Sequence, residues 1–198
     1  MPSLKNLAQP GDRKLPHIKL FYARTMWAAR HLLEYVGIFA KLTGSRYHSV
    51  VYLASLFAIH DIEEMNRQDL AWWTFGAIRK IDKFLAERPS ARVFEYGSGA
   101  STLWLARRAM RVVTVEEDWD WYEKVRNLSP SNVEVYYRPP DSCFNSIYAS
   151  RRKDLRNKSF QGYVETLCET NQKFDVIVID GRCRSKCIEL AECYLNPG

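Results

Sequence analysis

The sequence predicts an α/β protein, a doubly wound and mostly parallel sheet preceded by an N-terminal helical segment. Three observations point there. From Ala91 onward, apolar runs alternate with segments of helical period in the order β-α-β-α-β-(α)-β-α. The runs at 91–96, 111–116 and 174–180 are nearly continuous in apolar residues, as strands buried on both faces are. Each of them ends in an acid or a glycine-bearing turn, the place where such sheets build ligand sites.

The elements follow in order. Residues 1–16 read as a disordered lead, polar and without the apolar core of a signal peptide. His17–Lys41 has helical period, with Lys19, Arg24, Arg30, His31, Glu34 and Lys41 on one stripe and a broad apolar remainder. Such a helix either packs on the domain that follows or lies in a membrane interface, since its polar stripe is net basic. Ser49–Ile59 is an 11-residue apolar run, too short to span a bilayer, and reads as a buried helix or the second arm of a hairpin. Peripheral membrane contact is therefore expected, if anywhere, through residues 17–59. Asp61–Arg67 reads as a polar connector.

Leu70–Glu87 is helical by the recurrence of Ala71, Phe75, Ile78, Ile81 and Leu85, and ends before Pro89. Then come strand Ala91–Tyr96, helix Thr102–Met110, strand Arg111–Glu116, helix Trp119–Leu128 and strand Asn132–Tyr137. After a polar stretch follow a helix near Gln161–Thr170, strand Phe174–Asp180 and helix Ser185–Leu195. The sheet order expected from right-handed crossovers is 3-2-1-4, with strand four an exposed apolar edge. The chain ends at LNPG, a turn that ordinarily leads into another strand, so a fragment is expected, or a cover for that edge from elsewhere. The boundaries are a lead at 1–16, a helical segment at 17–68 and the sheet domain at 69–198.

Composition narrows the function classes. The net charge of +6 suits anionic ligands or membranes, and no basic stripe with interleaved aromatics suggests nucleic acid. The densest charge run, 151–158, reads as a solvated face. Five cysteines without a CxxC pair or a nearby histidine make no zinc set, so no metal is expected, and reduced thiols suit a cytoplasmic protein.

The stretch VFEYGSGAST carries the chemistry. Gly97 and Gly99 permit a tight turn and close approach of a ligand, and Ser101 or Thr102 can cap the following helix, whose first amides favour anionic groups. A dinucleotide fingerprint wants a third glycine where Thr102 stands. A nucleoside-type ligand wants an acid at the strand end, and Glu95 is there. An acid suits the ammonium of an amino-acid moiety and opposes a pyrophosphate. Glu116, 19 residues past Gly97 at the tip of the second strand, suits ribose hydroxyls. Glu117 and Asp118 read as the start of the next helix.

EYGSGAST, VVTVEED and FDVIVIDG, in this order and each at a strand end, resemble the class I S-adenosylmethionine-dependent methyltransferases over about Trp72 to Gly198. Where that family carries a small residue, often glycine, this chain has Ser101. AWWTFGAI and DGRCR are similar to a subset of mostly uncharacterised members. The resemblance implies a Rossmann-like methyltransferase fold with S-adenosylmethionine as cofactor. Glu95, Gly97 and Gly99 would flank its methionine part, Ser98 and Ser101 would also contact the cofactor, and Glu116 would hold the ribose. Asp141 would meet the adenine, and Trp73 and Thr74 would cover the cofactor from the preceding helix, although Trp72 and Trp73 also suit the core. Asp180 would lie beside the transferred methyl group, as a base or as an orienting group. Arg182 and Arg184 would bind an anionic acceptor or stay solvated, and Tyr148 and Tyr163 would line the acceptor pocket. The expected activity is methyl transfer to a small-molecule or glycan-type acceptor. The alternatives are an NAD-dependent oxidoreductase and a non-catalytic, membrane-associated module.

Overall fold

The computed structural model describes residues 17–43, 50, 54, 57, 62–150, 155 and 157–197. The chain divides into two compact units, Met1–Leu70 and Ala71–Gly198.

In the first unit, α1 (His17–Tyr35) and α2 (Ile38–Thr43) are separated by a turn at Gly37, whose φ is +70°. The segment expected to be a connector is instead α3 (Ile62–Arg67). Its polar composition hides an apolar pair, Ile62 and Met65, three apart and buried. Acids in its first turn and Arg67 in its last suit the helix dipole. Glu64 is buried among cations, accepting hydrogen bonds from Arg30 at 2.6 Å, from Gln68 at 2.5 Å and from Arg67. Leu32, Tyr35, Val36 and Ile38 are exposed. No described helix is long and apolar enough to cross a membrane. The expected lead at 1–16, most of the apolar run at 49–59 and five of the eight residues of the charge run at 151–158 lie outside the described residues.

The second unit opens with α4 (Phe75–Ala86). Sequence periodicity starts this helix at Leu70, but Thr74 is extended and its hydroxyl accepts from the Ala77 amide at 3.3 Å, which sets the start at Phe75. Then follow β1 (Arg92–Tyr96), α5 (Ala100–Ala106), β2 (Arg111–Glu116), α6 (Trp119–Leu128) and β3 (Val133–Tyr137). The chain continues through a short 3-10 turn at Ser146–Tyr148 into α7 (Gln161–Glu169), β4 (Val176–Ile179) and α8 (Arg184–Ala191). Two helices end earlier than expected. The Asn132 side chain donates to the carbonyls of Ala106 and Ala109, closing α5 well before Met110. α8 stops at Ala191 and gives way to a 3-10 turn, Glu192–Tyr194.

The four strands are parallel in the order β3-β2-β1-β4, which is a Rossmann-like, doubly wound sheet. Helices cover both faces. On one face Phe94, Tyr96, Val113 and Val115 pack with Tyr163, Val164 and Leu167 of α7 and Cys187 of α8. On the other, Val93 and Val112 pack with Leu85, Trp104 and Leu105 of α4 and α5. Each fully buried large side chain contributes roughly 1.5–3 kcal/mol of burial. β4 is an edge strand as expected. The chain after α8 returns to its beginning, where Phe174 and Leu195 form a parallel bridge, with the Phe174 amide donating to the Tyr194 carbonyl and the Asn196 amide to that of Phe174.

Candidate functional site at the carboxyl edge of the sheet

The site grows from the end of β1. After Tyr96 the chain turns sharply at Gly97, with φ at +93°. A Cβ there would lie 2.9 Å from the Cα of Gly181, in the turn after β4, so the two loops touch backbone to backbone. Glycine is required at position 97 on both counts. The Gly97 amide donates to the Val115 carbonyl, and the Trp121 indole donates to the Ser98 carbonyl at 2.6 Å. The loop is thus pinned from β2, from the β4 turn and from α6.

Helix α5 starts at Ala100, with Gly99 as its cap, rather than at Thr102. Thr102 turns inward. Its hydroxyl accepts from the Gly99 amide at 2.9 Å and donates to Glu95 at 2.5 Å. The Ser101 hydroxyl donates to the other Glu95 oxygen, also at 2.5 Å. Glu95 is fully buried, and burial pushes its carboxyl up to about 7 despite these two donors. Its oxygens face the interior, so Glu95 acts on the loop through Ser101 and Thr102.

Glu116 ends β2 and binds the same loop from the other side. One oxygen accepts from the Ser98 amide and the Ser98 hydroxyl, each at 3.0 Å. The other accepts from the amides of Glu117 at 3.0 Å and Asp118 at 3.1 Å. Only 5% of Glu116 is exposed. Burial, and then the adjacent Glu117, push its carboxyl well above the usual range, against the donors that favour its charged form. Asp118 caps α6 by accepting from the Trp121 amide.

The turn after β4 closes the site. Arg182 pairs with Glu117 at 2.5 Å, with side-chain exposures of only 16% and 7%. Asp180 and Arg184 pair at 2.6 Å in the open, at 49% and 60%. Both arginines expected to meet an acceptor thus have carboxylate partners in the protein. Asp180 is a solvated, ion-paired carboxylate at the tip of β4. Tyr163 is buried beneath this turn, where a Cβ on Gly181 would come within 1.8 Å of its hydroxyl. Burial holds that phenol well above its ordinary range.

The remaining expected residues lie around this centre. Asp141 takes the start of α7, accepting from the amides of Gln161 at 2.5 Å and Gly162 at 3.1 Å and from Ser159. Tyr148 donates to Glu165 at 3.3 Å, and its carbonyl accepts from the Cys183 thiol. The Trp73 ring meets Trp104 edge-on at 5.6 Å within the apolar layer of α4 and α5, and Thr74 is spent on the α4 cap. Among the described residues no three metal-ligating side chains converge.

Sequence reasoning missed an aromatic platform. Tyr137 ends β3 directly beside Glu116 in the strand register. Trp119 and Tyr122 of α6 meet it with ring centroids 5.0 and 5.4 Å away, and Trp119 is 48% exposed. The signal was present as an aromatic at a strand tip and two more in the first turn of the preceding helix. Their meeting follows only from the register.

No protein-family profile and no curated protein sequence matches the chain. Solved structures that resemble it include a precorrin 8w decarboxylase of Methanobacterium thermoautotrophicum, 20% identical with a TM-score of 0.43, over 65% of this chain and 61% of that one. They also include the MycE methyltransferase of the mycinamycin biosynthetic pathway, in complex with Mg, SAH and mycinamycin VI. That match is 13% identical with a TM-score of 0.42, over 84% of this chain and 40% of that one. The chain spans less than two thirds of either neighbour's length.

Proposed function

We propose that the Ala71–Gly198 unit binds S-adenosylmethionine at the carboxyl edge of its sheet and serves methyl transfer to a small-molecule or glycan-type acceptor. One observation carries this reading. A buried carboxylate at the tip of β2, Glu116, is hydrogen-bonded to the amide and hydroxyl of Ser98 in the glycine loop. Loop and strand tip form one cradle, with an acceptor for a ribose hydroxyl at its centre and an exposed tryptophan beside it.

The residues fit the nucleoside half of such a ligand. Glu116 accepts a ribose hydroxyl, and the Trp119 face stacks the adenine, flanked by Tyr137. The Gly97 turn, wedged against Gly181, fixes the course of the loop along which the sulfur-bearing chain would lie. Glu95 stays sealed and keeps Ser101 and Thr102 in place, so its role is to shape the loop. Bound there, the cofactor supplies an electrophilic methyl group on a sulfonium. The protein's part is to align the acceptor with that methyl and to keep water out. Asp180, at the tip of β4, orients the acceptor side. Its pairing with Arg184 and its exposure suit orientation better than proton abstraction.

Calorimetric titration of S-adenosylmethionine into the full chain, with NAD as control and Glu116→Ala as comparison, tests this function. The expected result is saturable binding, weakened by about tenfold or more in the variant, and no heat with NAD. Binding of NAD alone, or no binding by a folded chain, overturns it.

A further inference from the structure

Glu116 has no vacancy. A carboxylate offers about four lone-pair positions, and four donors already point at this one: the amides of Glu117 and Asp118 on one oxygen, and the amide and hydroxyl of Ser98 on the other. A ribose hydroxyl reaches Glu116 only by displacing one of them.

Three of the four are backbone amides, and each is fixed from outside. The Glu117 and Asp118 amides continue directly from β2, where the Glu116 carbonyl accepts from the Arg138 amide and Asp118 caps α6. The Ser98 amide sits between two anchors. Gly97 is wedged against Gly181 and bonded to Val115, and the Ser98 carbonyl is held by the Trp121 indole. Moving any of these amides moves a strand tip or the whole loop. The Ser98 hydroxyl needs only a rotation about its own χ1.

We propose that the Ser98 hydroxyl is a built-in stand-in for a ribose hydroxyl: it satisfies Glu116 in the ligand-free protein and yields its place, hydroxyl for hydroxyl, when a nucleoside binds. The proposal rests on the nucleoside reading of the site and adds two properties to it. Ser98 competes with the ligand and sets the affinity below what the cradle would otherwise give. Glu116 also has room for one ribose hydroxyl rather than two, because the amides on its other oxygen do not leave. The stand-in serves the free protein, since a buried carboxylate with an unfilled lone pair is costly.

The test uses the full chain, with S-adenosylhomocysteine and adenosine as calorimetric probes. Ser98→Ala removes the competitor and keeps all three amides, so it binds S-adenosylhomocysteine about two- to tenfold more tightly than the wild type. Ser101→Ala, which takes a hydroxyl from the sealed Glu95, does not tighten binding. Of 2′-deoxyadenosine and 3′-deoxyadenosine, one keeps the affinity of adenosine and the other loses about fivefold or more. Equal or weaker binding by Ser98→Ala, in a variant whose amide spectrum shows it folded, overturns the proposal while leaving the nucleoside reading intact. Equal losses for both deoxynucleosides contradict the single-hydroxyl geometry. Failure of wild type and Ser98→Ala alike to bind either probe overturns the nucleoside reading itself, and the stand-in falls with it.

Discussion

The two ends of the same four strands treat carboxylates in opposite ways. At the amino edge, Asp175 accepts from the Arg92 amide and from Asn196, stays in contact with solvent, and is held below its ordinary range chiefly by that amide. It borders an open depression of about 390 Å³ lined also by Ser90, Met110 and Lys173. At the carboxyl edge, Glu95 and Glu116 are buried and pushed upward, and a left-handed glycine is wedged against another loop. Burial of charge and tight backbone contact have a cost in stability, and the ligand site proposed above lies at the edge that bears them. The amino-edge depression is bordered instead by Asp175, which is held by the Arg92 amide and Asn196.

The largest expected effect breaks the packing of the carboxyl edge. Gly181→Ala drives a Cβ into the Tyr163 hydroxyl and is expected to destabilise the fold by about 3 kcal/mol. Adding Tyr163→Phe recovers part of that loss in urea denaturation. Gly76→Ala is the contrast. Nothing lies within 4 Å of its Cβ, and α4 gains roughly 0.5–1 kcal/mol.

Next comes the pH dependence of Glu95. The folded protein holds this proton up to about pH 7, whereas an unfolded glutamate releases it near its ordinary value of 4.5. Between those limits the folded state binds more protons, so stability falls as pH rises, by about 3 kcal/mol on account of this group. Glu95→Gln removes this contribution, and the stability difference between variant and wild type moves in the variant's favour by that amount across the window. A difference that stays flat with pH shows that Glu95 is ionised in the fold.

Smaller effects follow. Trp119→Ala costs ligand affinity about 1–2 kcal/mol by loss of a stacking face, and leaves the sheet intact. Asp175→Asn at the amino edge costs at most about 1 kcal/mol of stability. Because the Asp175 carboxyl is held low, its contribution is present above the unfolded value and lost as pH falls through the folded one, the opposite sign to Glu95.

Much of this was legible in the sequence. Strand order followed from apolar runs and the handedness of crossovers, and Glu116 stood out as an acid at a strand tip. What stayed hidden depends on side-chain direction and on long-range register. Glu95 reads as a ligand contact until Ser101 and Thr102 are seen closing over it. Arg182 reads as an acceptor site until it meets Glu117, 65 residues away in the chain. α3 is too short and too polar for periodicity to reveal. Trp119 and Tyr137 come together only because Glu116 and Tyr137 are register partners.

The central claim is that the carboxyl edge, and not the amino-edge depression, is the ligand site. Amide ¹H–¹⁵N spectra recorded while S-adenosylhomocysteine is added to the full chain test it most directly. The account predicts saturable shifts concentrated at Gly97, Ser98, Gly99, Glu117 and Asp118, with Arg92, Lys173 and Asp175 unmoved. Shifts centred on Arg92 and Asp175, or none in a folded chain, would contradict it.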